Sequence, residues 1–253
     1  MPIYKKGRSV GVRLAEEKQK GKKDFSVNDL DNSRIELVWK KIKGKYIRFR
    51  KYVPSSAKWT SEEISLFGAE QGLRFPITKT ARLMVLLEKK QGRKPLIVDW
   101  GCGKEIATEQ LGKTLGDEAR VIGFGDIMKK EWIQKESVEF IHGESSSFFR
   151  YFKDNSINIL YSHYGIMHLT GAEIYIKNMI KKIAPAGFLV THLENKELRN
   201  FLTENVKNYS PAIQNGLFVP GEREAVINGI RCHVKWLPAP DGLYNALQIR
   251  RLE

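Results

Sequence analysis

The alternation of apolar and polar positions changes character twice along the chain. Residues 1 to about 30 are polar and Lys-rich with no apolar period, which predicts an arm rather than a packed element. Between 34 and 53, apolar and basic residues interleave through Ile35, Leu37, Trp39, Lys43, Lys45, Tyr46, Arg48, Phe49, Arg50 and Tyr52. Thr60-Ser61-Glu62-Glu63 then has the form of a capping box and predicts a short helix running towards Gly72. Ala81, Met84, Val85 and Leu87 share one helical face, so a second helix is expected over 79–90. The polar turn Gln91-Gly92-Arg93-Lys94 ends it.

After Pro95 short apolar runs alternate with helical stretches. Leu96-Ile97-Val98, Val121-Ile122-Gly123-Phe124, residues 138–141, 157–161 and 188–190 have the continuous apolar character of strands buried on both faces. Helices are expected near 104–115, 128–135, 171–184 and 195–208. Strands alternating with helices imply a mainly parallel sheet with helices on both faces. The C-terminal region differs. Asn228-Gly229 fits a type I′ turn between strands at 225–227 and 230–237, and a last strand is expected over 243–249. The fold class expected is α/β, with a seven-stranded, mostly parallel sheet, an antiparallel C-terminal hairpin and a basic N-terminal extension. Two parts are expected: a basic arm or small subdomain over 1–58 and the α/β domain over 59–253.

Charge sharpens that division. The formal net charge of +14 is concentrated in residues 1–58, where 17 Lys/Arg face 6 Asp/Glu, while the rest is nearly balanced at 26 against 23. No apolar run approaches the roughly 20 residues of a membrane-spanning helix. Two cysteines, Cys102 and Cys232, make no disulfide framework, and no metal-ligand spacing occurs. A cytoplasmic location is the expectation, with a mitochondrial one as the alternative because the first residues are basic.

Candidate chemistry centres on Asp99-Trp100-Gly101-Cys102-Gly103, which follows a buried strand and opens a helix. Glycines there let main chain approach a ligand, and helix amides favour an anionic group. A dinucleotide site wants G-x-G-x-x-G, but its third glycine would fall at Ile106. The segment resembles motif I of the class I S-adenosylmethionine (SAM)-dependent methyltransferases, and later segments follow that family's order across roughly 80–253. Strand 121–124 followed by Gly125 and Asp126 resembles the strand whose terminal acid holds the ribose. Residues 140–144 resemble the next, with Glu144 at the adenine position. Residues 155–162 resemble the fourth strand, and its loop runs from His163 to His168.

The resemblance implies SAM as cofactor, held by Asp99, Trp100, Gly101, Cys102, Gly103, Gly125, Asp126, Glu144 and Ser162. It places His163 and Tyr164 where methyl donor and acceptor meet. Glu105 departs from the pattern by standing in the third-glycine position, and Asn158 replaces an Asp common at the head of the fourth strand. Plainer roles stand beside these: Asp99 as a helix cap, Cys102 as a small filler, and His163 and His168 as packed or surface histidines. Methyl transfer needs mainly alignment and water exclusion, so the lack of a catalytic triad excludes nothing. The basic, aromatic 34–53 stretch suits phosphates and exposed bases, which favours RNA or a ribonucleoprotein-associated acceptor. A small-molecule or protein methyltransferase, and a non-catalytic scaffold of the same fold, remain open.

Overall fold

Sheet order decides where a site can form. The computed structural model describes residues 33–42, 45–54, 65–103, 106–125, 137–143, 145–163, 165–166, 169, 171–207, 209, 213–214, 217–238 and 244–253. The chain divides into two units, Met1–Thr60 and Ser61–Glu253. In the first, β1 (Ser33–Ile42) and β2 (Lys45–Pro54) form an antiparallel ribbon. The basic, aromatic stretch is therefore extended, and its register sets Trp39 opposite Arg48 and Leu37 opposite Arg50.

The second unit begins with α1 (Leu66–Leu73) and α2 (Ile77–Lys89). Ser65 caps α1, its hydroxyl accepting from the Gly68 amide at 3.0 Å. The Thr60–Glu63 box lies outside the described residues. Glu70 of α1 accepts from the Thr78 amide at 2.6 Å and so caps α2. Next come β3 (Leu96–Trp100), α3 (Ile106–Leu115), β4 (Arg120–Gly125), β5 (Glu139–His142), α4 (Phe148–Tyr151), β6 (Ile157–Ser162), α5 (Ala172–Met179), β7 (Ile183–Leu193) and α6 (Asn195–Asn205). The helix expected over 171–184 stops early, because a 3-10 turn at Ile180–Lys182 leads directly into β7. The expected helix at 128–135 lies outside the described residues.

The chain closes with a small ribbon, β8 (Ile213–Gln214) and β9 (Leu217–Phe218), then β10 (Gly221–Ile227), β11 (Ile230–Pro238) and β12 (Asn245–Arg251). The main sheet has the order β10-β11-β12-β7-β6-β3-β4-β5. It holds eight strands, not the expected seven. Both arms of the hairpin join it, since Asn228 and Gly229 adopt φ of 50° and 80°, the left-handed pair a type I′ turn requires. Strands β5, β4, β3, β6 and β7 run parallel, and β12 pairs antiparallel with β7.

Each face of this sheet is buried, as its apolar strands require. Val98, Trp100 and Leu160 pack with α4, α5 and α6, whereas Ile97, Ile159 and Tyr161 pack with α1, α2 and α3. Alternation along β3 therefore sends Asp99 and Trp100 to opposite faces. Asn158 ties sheet to helix: its Oδ1 accepts from the Leu96 amide at 2.8 Å and its Nδ2 donates to Glu88 Oε1 at 3.0 Å. An aspartate there would set a second carboxylate against Glu88, which explains an amide at this position.

Candidate active site

From β3 the chain passes to β4 and β5 on one side of the sheet, while β6 and β7 lie on the other. Such a reversal of strand order opens a crevice beyond the carboxyl ends of the strands. The loops after β3 and β6 meet there.

The β3 loop is built on main chain. Gly101 donates its amide to the Phe124 carbonyl at 2.6 Å, and Gly101 and Gly103 adopt φ of 81° and 48°. A Cβ on Gly101 would come within 2.6 Å of the Gly165 Cα. A Cβ on Gly165 would lie 2.6 Å from the Trp100 carbonyl oxygen and 2.9 Å from the Gly101 Cα. The two loops thus touch backbone to backbone. Gly103 is open, with nothing nearer than 3.9 Å to its added Cβ, and both Gly101 and Gly103 are exposed. Main chain is on offer here to a ligand too close for side chains.

Asp99 lies below the loop at 5% exposure and accepts a 2.6 Å hydrogen bond from Thr108 Oγ1 on α3. Burial pushes its carboxyl up to about 6, against the opposing effect of the Thr108 and Tyr161 hydroxyls. Burial, with the Asp99 charge beside it, also raises Tyr161 far above the usual phenol. The Tyr161 hydroxyl lies against this carboxylate but makes no well-aligned hydrogen bond. Asp99 therefore fixes the start of α3 from below the loop.

The other expected positions separate into groups. Trp100 is 3% exposed and its indole stacks with Phe124 at 6.5 Å and meets Phe148 edge-on, so only its main chain reaches the crevice. Cys102 turns inward, its Sγ 3.0 Å from where a Gly123 Cβ would stand. Gly125 ends β4 buried and accepts from the Gly143 amide at 2.9 Å, joining the ends of β4 and β5. Ser162, fully buried, accepts from the Ile166 amide at 3.0 Å and shapes the β6 loop. His163 follows it, packed so closely on α1 that a Cβ on Gly72 would lie 2.3 Å from its Nε2. Burial, then the neighbouring His192, drives its imidazole down to about 3. Asp126, Glu144, Tyr164, His168 and Glu105 lie outside the described residues.

Thr108, Tyr161, Gly165 and His192 carry no motif and were not singled out from sequence. Their roles arise from contacts across the sheet. Among the described residues no cluster of His, Cys, Asp or Glu could hold a metal, and no helix is long and apolar enough to cross a membrane.

The strand order carries the assignment of fold. An all-parallel dinucleotide sheet continues with a sixth parallel strand beside β7, but here the last strand returns antiparallel in that place. This strand order, with β12 antiparallel beside β7, is that of the class I methyltransferase fold.

No family model matches the chain, and no curated protein matches it. Among solved structures it is similar to a SAM-dependent methyltransferase from Mesorhizobium loti, with 12% identity, TM-score 0.42, and coverage of 73% of this chain and 100% of that one. A SAM-dependent methyltransferase from Aquifex aeolicus gives 12% identity, TM-score 0.39, and coverage of 76% and 93%. Magnesium protoporphyrin IX methyltransferase from Synechocystis PCC 6803, solved with bound SAM, gives 12%, 0.37, and coverage of 72% and 83%. Likeness at this level says nothing about substrate, because one fold hosts many chemistries.

Proposed function

We propose that the chain is a SAM-dependent methyltransferase acting on RNA or a ribonucleoprotein-associated substrate. The observation that carries the methyltransferase reading is the exposed Gly101–Gly103 main chain at the switch point of the sheet. A cradle of bare, left-handed backbone fits a cofactor that must approach closely, and the main chain of residues 101–103 would hold it. SAM supplies a methyl group on a sulfonium, already activated towards displacement. What remains for the protein is alignment and water exclusion. The β6 loop, seated on Gly101 through Gly165, would wall the reacting end, with Ser162 keeping its turn in shape. His163, held neutral by its surroundings, presents no positive charge to a cationic donor.

The RNA reading rests on the β1–β2 ribbon, where Lys40, Lys41, Lys45, Arg48, Arg50 and Lys51 alternate with Trp39, Tyr46, Phe49 and Tyr52. Cations of this density neutralise phosphates, and aromatics stack on unpaired bases. Calorimetry with SAM tests the first part, with Gly101→Arg expected to abolish binding. Salt-dependent RNA binding tests the second. Replacing Lys43, Lys45, Arg48 and Arg50 together by Gln should flatten the salt slope and leave SAM affinity unchanged. Salt-insensitive RNA binding, or none, would pass the acceptor to a small molecule or protein.

A further inference from the structure

His192 lies near the end of β7 at 2% exposure, and both of its ring nitrogens meet carbonyl oxygens. Nδ1 is 2.7 Å from the His163 oxygen, and Nε2 is 2.8 Å from the Gly72 oxygen. A carbonyl only accepts, and a neutral imidazole has a single N–H. One of these contacts would then set lone pair against lone pair. The protonated ring donates to both. We infer that His192 is held as an imidazolium and acts as a positioning residue, clamping the last turn of α1 to the loop after β6.

Surrounding groups favour that charge despite burial. Gly72 belongs to the final turn of α1, where carbonyls carry the negative end of the helix dipole. Those carbonyls lack helical partners and are taken up by the sheet: Gln248 Nε2 of β12 donates to the Arg74 oxygen at 2.8 Å and the Leu73 oxygen at 3.3 Å. Tyr244 lies beside the His192 ring, nearly parallel to it, with centroids 6.3 Å apart and an interplanar angle of 28°. Among the described residues, Tyr244, ahead of β12, and His163, whose ring is 5.3 Å away, face His192. α1 presents a main-chain carbonyl. The two carbonyl dipoles that the ring meets favour its charge. The neighbouring cation adds to burial in keeping His163 neutral. The two histidines thus divide into one charged clamp and one neutral ring.

The functional consequence rests on the methyltransferase reading. His192 holds the His163 carbonyl, and two residues on Gly165 seats against the Gly101 cradle. Losing the proton removes one of the two attachments and frees the loop or α1.

The test uses the full chain with nitrogen-15-labelled histidine. Near neutral pH the His192 ring should show both nitrogens protonated. Its signals are assigned by loss in His192→Gln or, should that variant not fold, by elimination through His142→Gln, His163→Gln, His168→Gln and His233→Gln. A neutral single tautomer overturns the inference. SAM affinity is then followed against pH by calorimetry. Wild type should weaken about tenfold as His192 deprotonates. His192→Gln should start about tenfold weaker and lose that step. A merely structural role would lower the melting temperature without removing a pH step, and superimposable pH profiles would sink the positioning role. A protein with doubly protonated His192 that binds no SAM at any pH upholds the clamp and removes the methyltransferase reading instead.

Discussion

The two loops that meet at Gly101 and Gly165 are held by opposite means. The loop after β3 is fixed by main-chain bonds to Phe124 and by left-handed glycines, with one buried acid beneath it. The loop after β6 is fixed by polar side chains, with Ser162 holding the Ile166 amide and His192 holding the His163 carbonyl. Backbone geometry tolerates no side chain and carries no titrating group of its own, so pH reaches this loop only through Asp99 beneath it. Side-chain anchors tolerate substitution at graded cost and respond to protonation. The loop after β3, with its exposed main chain, is rigid by sterics, while the loop after β6 is adjustable.

The sharpest way to break this contrast is at the contact itself. Gly165→Ala sets a Cβ within 2.6 Å of the Trp100 carbonyl oxygen, backbone that no rotamer change relieves. It should cost on the order of 3 kcal/mol of stability and remove SAM binding. Chemical denaturation checks it. A neutral result would mean the loops part easily.

Asp99 tests the foundation of the rigid loop. Its carboxyl rises from the ordinary value near 4 to about 6 on folding, because burial disfavours its charge. The folded state therefore binds the proton more tightly than the unfolded state. The resulting stability is complete below about pH 4 and is lost as pH climbs through about 6, roughly 3 kcal/mol in all. Asp99→Asn should remove this slope and stabilise the protein at pH 8 by about 2 kcal/mol, provided Thr108 keeps its bond. Melting curves across pH decide it, and an unchanged slope would show that the acid is solvated.

Ser162→Ala probes the adjustable loop. The Ile166 amide would lose its partner in a buried setting, a loss of about 1–2 kcal/mol. SAM affinity should fall along with it. Thr in place of Ser should recover most of the loss, and failure of that rescue would locate the effect elsewhere.

Glu197 on α6 supplies the smallest effect and a control away from both loops. Burial, then Glu194 and Glu173, lift its carboxyl to about 7. Stability associated with it is present below the ordinary carboxylate value and lost as pH rises through about 7. Half-solvated, it is worth no more than about 1 kcal/mol. Glu197→Gln should raise the melting temperature slightly at pH 8 and leave SAM affinity untouched. Any change in affinity would show that pH effects spread beyond the loops.

The continuous apolar runs of β3, β4 and β6 and the Asn-Gly turn were legible because burial on both faces and a left-handed turn restrict residue type locally. The glycine loop was legible for the same reason: only glycine adopts φ near +81° against touching backbone. Much of the site was not. Trp100 stands inside the motif, yet its ring turns into the aromatic core, since alternation along β3 assigns it to the opposite face from Asp99. The strand at 225–227 was legible, but its place as an eighth strand of the main sheet was not, because pairing of β10 depends on where β12 inserts, a choice made between distant segments.

Local patterning and residue counts were enough to give the alternation of strands and helices, the position of the glycine loop and the separation of a basic N-terminal stretch from a nearly neutral remainder. Folding alone brings Asp99 to Thr108, seats Gly165 on Gly101, and sets His192 between Gly72 and His163, partners 120 and 29 residues away. Such contacts are created when strand order brings distant main chain together, and no local pattern encodes them.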